Sequence, residues 1–180
     1  MSYLINLLTL SRIFISVIIF ALLMLENNYF LALLLFFVGG ITDYFDGFLA
    51  RKYNASSQIG EILDPVADKI FIIFIFFGLA LNLSSYLIGF CGAIIITREI
   101  WVSALRDYNS RNNNISATKV ISLAKIKTTI QLFTLFIYLL ALASSKMLLI
   151  IFADIFLLIS VLITIYTGLI YTINSFNRDN

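Results

Sequence analysis

The sequence predicts an all-α, polytopic membrane protein with six transmembrane helices. Three observations carry that expectation. Of 180 residues, 61% are hydrophobic and 12% charged, against about half and about a quarter in soluble domains. The remaining polar surface is too small to cover a water-soluble fold. The apolar residues gather into six runs, each able to supply the ~20 helical residues that cross a ~30 Å hydrocarbon core. The basic residues then fall almost entirely on one side of the resulting topology. The length suits a single domain, residues 1–180.

The first run is Leu4–Leu25. A cleaved leader opens with positive charge. Met1–Leu10 has no Lys or Arg, and Arg12 lies inside the run, so a retained helix is expected. The next runs are Phe30–Ala50, Gly60–Leu81, Tyr86–Tyr108, Val120–Ala143 and Met147–Ile173. Their connections are Glu26–Tyr29, Lys52–Ile59, Asn82–Ser85, the Asn-rich Asn109–Lys119, and Ser144–Lys146. The short connections predict antiparallel neighbours. Helices are expected because a backbone in lipid must satisfy its own hydrogen bonds. A barrel would alternate polar and apolar residues, and Phe71–Phe77 does not.

With both termini in the cytoplasm, the inner side holds Arg12, Arg51, Lys52, Lys69, Arg98, Arg106, Arg111, Lys119, Lys125, Lys127 and Arg178. The outer side keeps only Lys146. Eleven against one fits the positive-inside rule, and an even number of spans fits termini on one side. Composition also excludes chemistries. No His is present, so His-ligated zinc or haem and Ser-His-Asp catalysis are excluded. A lone cysteine, Cys91, excludes an internal disulfide and a Cys-cluster metal site; it reads as a small buried hydrophobe. A net charge of +2 is too weak to suggest nucleic acid as a partner.

Several charges lie within the apolar runs, toward their inner ends. Ionisable groups at membrane depth are costly, so they face a bundle interior or a watery cavity. A polar cavity open to the cytoplasmic side is therefore expected. Asp43 and Asp46 are three residues apart, about 60° around a helix, with Gly47 and Ala50 on the same stripe. Asp64 and Asp68 are four apart on the next helix, about 40° around its axis, with Gly60 on that stripe. Consecutive helices can turn these stripes toward each other. Unpaired, four converging carboxylates would repel and take up protons. A bound cation removes the repulsion, and an all-oxygen set suits Mg²⁺ or Mn²⁺ rather than zinc. Paired ions of this kind serve phosphoryl chemistry, and Arg51 is placed to neutralise a phosphate. Isolated aspartates at helix ends are commonly caps, and intramembrane carboxylates also line ion pathways. Four on adjacent spans speak against caps, and the nearby basic residues against a simple cation path. Pro65 follows Asp64 directly and is expected to kink the helix and re-aim that carboxylate.

The run Asp43-x2-Asp46-Gly47-x2-Ala50-Arg51-x8-Gly60-x3-Asp64-x3-Asp68 resembles the signature of the CDP-alcohol phosphatidyltransferase family at every fixed position. Eight fixed positions at about 7% each coincide by chance on the order of 10⁻⁹ per start site. The resemblance implies a six-helix membrane enzyme, usually a homodimer, with two divalent metals. It implies a CDP-linked lipid donor whose phosphatidyl group passes to an alcohol with release of CMP. By matched position it implies Asp43, Asp46, Asp64 and Asp68 as metal ligands and Asp68 also as catalytic base. Gly47, Ala50, Arg51 and Gly60 become contacts for the CDP moiety.

The acceptor must be read elsewhere. Arg98 and Arg106 on the fourth run, and Lys125 and Lys127 on the fifth, stand near the expected cavity mouth and suit a phosphorylated alcohol. Lys127 serves equally well as an inner-leaflet anchor. Thr97–Arg106, Lys125–Gln131 and Asn6-x2-Thr9-x2-Arg12 resemble segments of bacterial phosphatidylglycerophosphate synthases. That narrower resemblance implies glycerol 3-phosphate as acceptor, the bacterial cytoplasmic membrane as location, and Asn6, Thr9 and Arg12 near the CDP-lipid. The competing expectations are another alcohol (serine, inositol phosphate or phosphatidylglycerol) and a divalent-cation transporter. Asp154 has no partner visible in the sequence.

Overall fold

A computed structural model describes residues 2–26, 28–53, 58–112 and 122–176. Within its helices, the side chains at 2–5, 46–47, 50–51, 53, 58–59, 61 and 122–125 lie outside the described set. The described residues form six helices: α1 Ser2–Met24, α2 Tyr29–Tyr53, α3 Gln58–Asn82, α4 Tyr86–Arg111, α5 Ser122–Ser144 and α6 Met147–Phe176. Each expected apolar run lies largely within one of them. The fold is all-helical.

Four helices are long and apolar enough on their described residues to cross a membrane: Asn6–Met24, Tyr86–Arg111, Ile126–Ser144 and Met147–Phe176. The expectation was six. In α2 the apolar stretch among the described residues is Tyr29–Phe45. In α3, Asp64, Asp68 and Lys69 precede an apolar stretch. Large apolar side chains such as Phe14, Leu148, Leu162 and Leu169 point outward, as expected of a surface whose solvent is lipid.

The helices close into a ring. Around it run α1, α2, α5, α6, α4 and α3, and α3 returns to α1, while α3 also touches α5 across the interior. The short connections do join packed neighbours at α1–α2, α3–α4 and α5–α6. The α2–α3 pair differs, because α1 packs against both. Phe71 of α3 reaches α2, where it stacks on Phe36 with centroids 5.7 Å apart. Gly39 makes room for the Phe71 ring: a Cβ there would stand 2.5 Å from it.

Turn chemistry fixes the connections at one end. Ser85 caps α4 by accepting from the Ile88 amide. Asn28, Ser84 and Ser145 take left-handed backbone conformations. Asn82 donates to the Leu23 carbonyl at 2.9 Å and to the Tyr29 hydroxyl at 3.0 Å, tying α1, α2 and α3 together. Near this end the core is apolar, with Ile19, Leu23, Phe76, Leu79, Ile88, Leu139 and Leu157 buried. Asp154 finds a partner here: Tyr138 donates to it at 2.5 Å, joining α5 to α6. The other half of the bundle buries Thr9, Arg12, Arg98, Asn109, Lys127, Gln131, Thr164 and Thr167. The ring thus has an apolar end and a polar end, and the expected site residues whose side chains are described belong to the polar one.

Candidate active site

The polar end is built on α1. Arg12 is 2% exposed, yet it reaches carboxylates on both flanking helices. Its Nη1 lies 2.9 Å from Asp43 Oδ1 on α2 and also bonds Asp68 Oδ1 on α3. One turn earlier, Thr9 donates to Asp64 Oδ1 at 2.7 Å. The i,i+3 spacing of Thr9 and Arg12 puts both on one helix face. The spacing of Asp64 and Asp68 presents the matching face of α3. Asn6, one turn before Thr9, is half-buried. Among the described side chains, Asp43 on α2 and Asp68 on α3 therefore converge on one guanidinium of α1. Helix α1 packs against both α2 and α3.

Pro65 lies in the first turns of α3, which continues helical to Asn82. Gly60 is buried on the same helix. Asp46, Gly47, Ala50 and Arg51 fall within α2, and Lys125 within α5, but their side chains lie outside the described residues. Among the described residues no group of three acidic side chains closes into a metal-holding cluster. The donor chemistry still suits a hard divalent cation. Asp43 and Asp68 already converge on one positively charged nitrogen, so positive charge between α2 and α3 is what this arrangement favours.

Asp68 also borders a cavity of about 520 Å³ enclosed by α3, α4 and α5, a volume ordinary for a small-molecule site. Lys69, Arg98, Arg106 and Lys127 line it, against the acids Asp68 and Glu99. Ser103, Thr128, Thr129 and Gln131 add polar groups. Arg98, Arg106 and Lys127 each have a side-chain partner. Arg98, 8% exposed, donates to Glu99 at 3.2 Å and to Thr167 Oγ1 at 2.9 Å. Lys127, 3% exposed, bonds the same Glu99. Burial argues against Lys127 as a membrane-surface anchor, whose head group would reach water. Arg106 donates to the Tyr171 hydroxyl at 3.0 Å. Both Arg98 and Arg106 keep a buried Nε with no acceptor among the described residues. Both guanidinium groups line the cavity, where their charge suits an anion.

Sequence reasoning missed Lys69 and the whole contribution of α6. The signal was present. In the very apolar α6, Ser160, Thr164, Thr167, Tyr171 and Ser175 recur at intervals of three or four and are buried. That period marks one helix face. Along it, Gln131 donates to Thr164 and Asn109 to Ser175, beside the Arg98 and Arg106 contacts. Trp101 donates to Thr172 at 2.9 Å on the adjacent face.

Residues 3–166 match the protein family described as CDP-alcohol phosphatidyltransferase. Among curated proteins, the chain is 43% identical over 105 residues to a CDP-diacylglycerol–glycerol-3-phosphate 3-phosphatidyltransferase of Blochmanniella floridana, covering 58% of this chain and 55% of that protein. It is 40% identical over 106 residues to the protein of the same name from Escherichia coli K12, covering 59% of this chain and 58% of that one. The matched stretch thus spans little more than half the length of these relatives.

Proposed function

Since the chain belongs to the CDP-alcohol phosphatidyltransferase family, we propose that it transfers the phosphatidyl group of CDP-diacylglycerol to glycerol 3-phosphate, forming phosphatidylglycerophosphate and CMP. One observation carries the choice of acceptor. The carboxylate that the family resemblance makes the base, Asp68, shares one enclosure with Arg98, Arg106 and Lys127. An acceptor with a hydroxyl at one end and a phosphate at the other spans such a cavity. The names of the relatives support the same acceptor.

In this reading Arg98, Arg106 and Lys127 take the acceptor phosphate, with Lys125 at the mouth. Asp68 accepts the proton of the attacking hydroxyl. The freed oxygen bonds to the phosphorus that carries diacylglycerol, the bond from that phosphorus to the CMP oxygen breaks, and CMP leaves. Asp43, Asp46, Asp64 and Asp68 would hold one or two divalent ions, Mg²⁺ or Mn²⁺. When bound, these would offset negative charge on the pyrophosphate. Arg12 aligns Asp43 with Asp68, and Thr9 orients Asp64. Gly47, Ala50, Arg51 and Gly60 lie along the donor's CDP moiety, with Asn6, Thr9 and Arg12 beside it. All six helices span the membrane, with the polar end toward the cytoplasm of a bacterial cell and the acyl chains left in the bilayer. The chain works as a homodimer.

The test is CMP release by the purified chain in detergent with CDP-diacylglycerol, Mg²⁺ and a panel of acceptors. Release with glycerol 3-phosphate, and little with serine, inositol phosphate or phosphatidylglycerol, is expected. Release with one of the others alone would overturn the acceptor assignment. No release with any acceptor would overturn the enzyme reading and favour a cation transporter, which predicts metal flux instead.

A further inference from the structure

Two arginines of like charge stand side by side in the cavity wall, and a single aromatic ring lies against both. The Tyr171 ring centroid is 5.7 Å from the Arg98 guanidinium carbon and 5.0 Å from that of Arg106. A guanidinium within about 6 Å of a tyrosine ring is attracted by its negative face. The Tyr171 hydroxyl also accepts from Arg106 Nη2 at 3.0 Å. Tyr171 is 1% exposed, and it stands behind the cavity wall rather than among the lining residues. Its neighbours complete the support. Thr167 accepts from Arg98 at 2.9 Å. Gly168 lets the arginine stem pass close to α6, since a Cβ there would stand 3.0 Å from Arg98 Cγ.

We propose that Tyr171 is the positioning residue that holds Arg98 and Arg106 as a pair, and so sets the affinity of the cavity for a phosphorylated acceptor. The ring offsets the mutual repulsion of the two cations. The hydroxyl fixes the orientation of one of them. The residues placed beside the donor lie on other helices, α1, α2 and α3. The proposal rests on reading the cavity as the glycerol 3-phosphate site.

The experiment measures CMP release by the full-length chain with each substrate varied in turn, for wild type, Tyr171→Phe and Tyr171→Leu. Losing one hydrogen bond in Tyr171→Phe should raise the glycerol 3-phosphate KM about three-fold. Losing the ring as well in Tyr171→Leu should raise it about ten-fold or more. The CDP-diacylglycerol KM should stay within about two-fold in both, for the residues placed beside the donor lie on α1, α2 and α3 rather than near Tyr171 on α6. A merely structural role would move both KM values together or neither, and either pattern in Tyr171→Leu overturns the proposal. Should Tyr171→Leu fail to fold, Tyr171→Phe decides alone, and an acceptor KM equal to wild type overturns it. Wild-type protein without glycerol 3-phosphate-dependent release would overturn the functional reading and this proposal together. Normal wild-type turnover with a Tyr171-insensitive acceptor KM would overturn this proposal only.

Discussion

Replacing Asp68 by Asn separates chemistry from architecture at this site. The substitution keeps size and shape but removes the negative charge and the proton acceptor. The structural cost can be bounded. The Asp68 side chain is 53% exposed, and exposed ion pairs contribute up to about 1 kcal/mol. An Asn oxygen can still accept from Arg12, and Arg12 keeps Asp43 at 2.9 Å. The fold should therefore lose no more than about 1 kcal/mol. The catalytic cost is larger. A positioned general base contributes about 10²- to 10⁴-fold in rate, which is roughly 3–5 kcal/mol. Turnover of Asp68→Asn should fall at least about 100-fold, with thermal stability almost unchanged and CDP-diacylglycerol still bound. CMP release reads the first quantity. The lone tryptophan, Trp101, reports unfolding by its fluorescence. Turnover within about ten-fold of wild type would refute the base role, because the loss would fall below the range a general base supplies. Loss of donor binding would refute it as well.

Three other perturbations address separate parts of the account. Gly39→Ala places a Cβ 2.5 Å from Phe71 Cε2 and 2.7 Å from its Cζ, on a ring that is buried and already stacked on Phe36. Overpacking of this kind costs about 1–3 kcal/mol, to be seen as a lowered midpoint in thermal unfolding. Tyr138→Phe removes the hydrogen bond to Asp154 at the apolar end. It should cost about 0.6–2 kcal/mol by the same measurement while leaving CMP release unchanged. Chelation of divalent cations should stop CMP release, and added Mg²⁺ or Mn²⁺ should restore it.

What the sequence revealed and what it concealed have physical causes. Membrane spans are legible because lipid demands long apolar helices, and four of the six expected runs appear as such helices among the described residues. The aspartates of α2 and α3 are legible because charge at membrane depth is rare and must be explained. Partnerships across helices are not legible in the same way. Arg12 carried no sign that it would join Asp43 to Asp68, since that depends on α1 packing against both α2 and α3, and helix order around a ring is not written in any single helix. Asp154 lacked a visible partner because Tyr138 lies on the preceding helix and is indistinguishable there from an apolar core residue. Residues Thr167 and Tyr171 were readable in principle. Their buried polar period in α6 was overlooked because uncharged polar side chains in an apolar helix stand out less than charges do. Lys69 was noticed as a charge, and only the cavity wall shows that it stands beside Asp68 among groups that attract an anion.

The central claim is that the cavity between α3, α4 and α5 receives a phosphorylated alcohol with its hydroxyl toward Asp68. A structure determined with glycerol 3-phosphate bound tests this most directly. The account predicts the phosphate within hydrogen-bonding distance of Arg98, Arg106 and Lys127 and a terminal hydroxyl facing Asp68. A phosphate seated outside that cavity, with these three side chains unengaged, would contradict it.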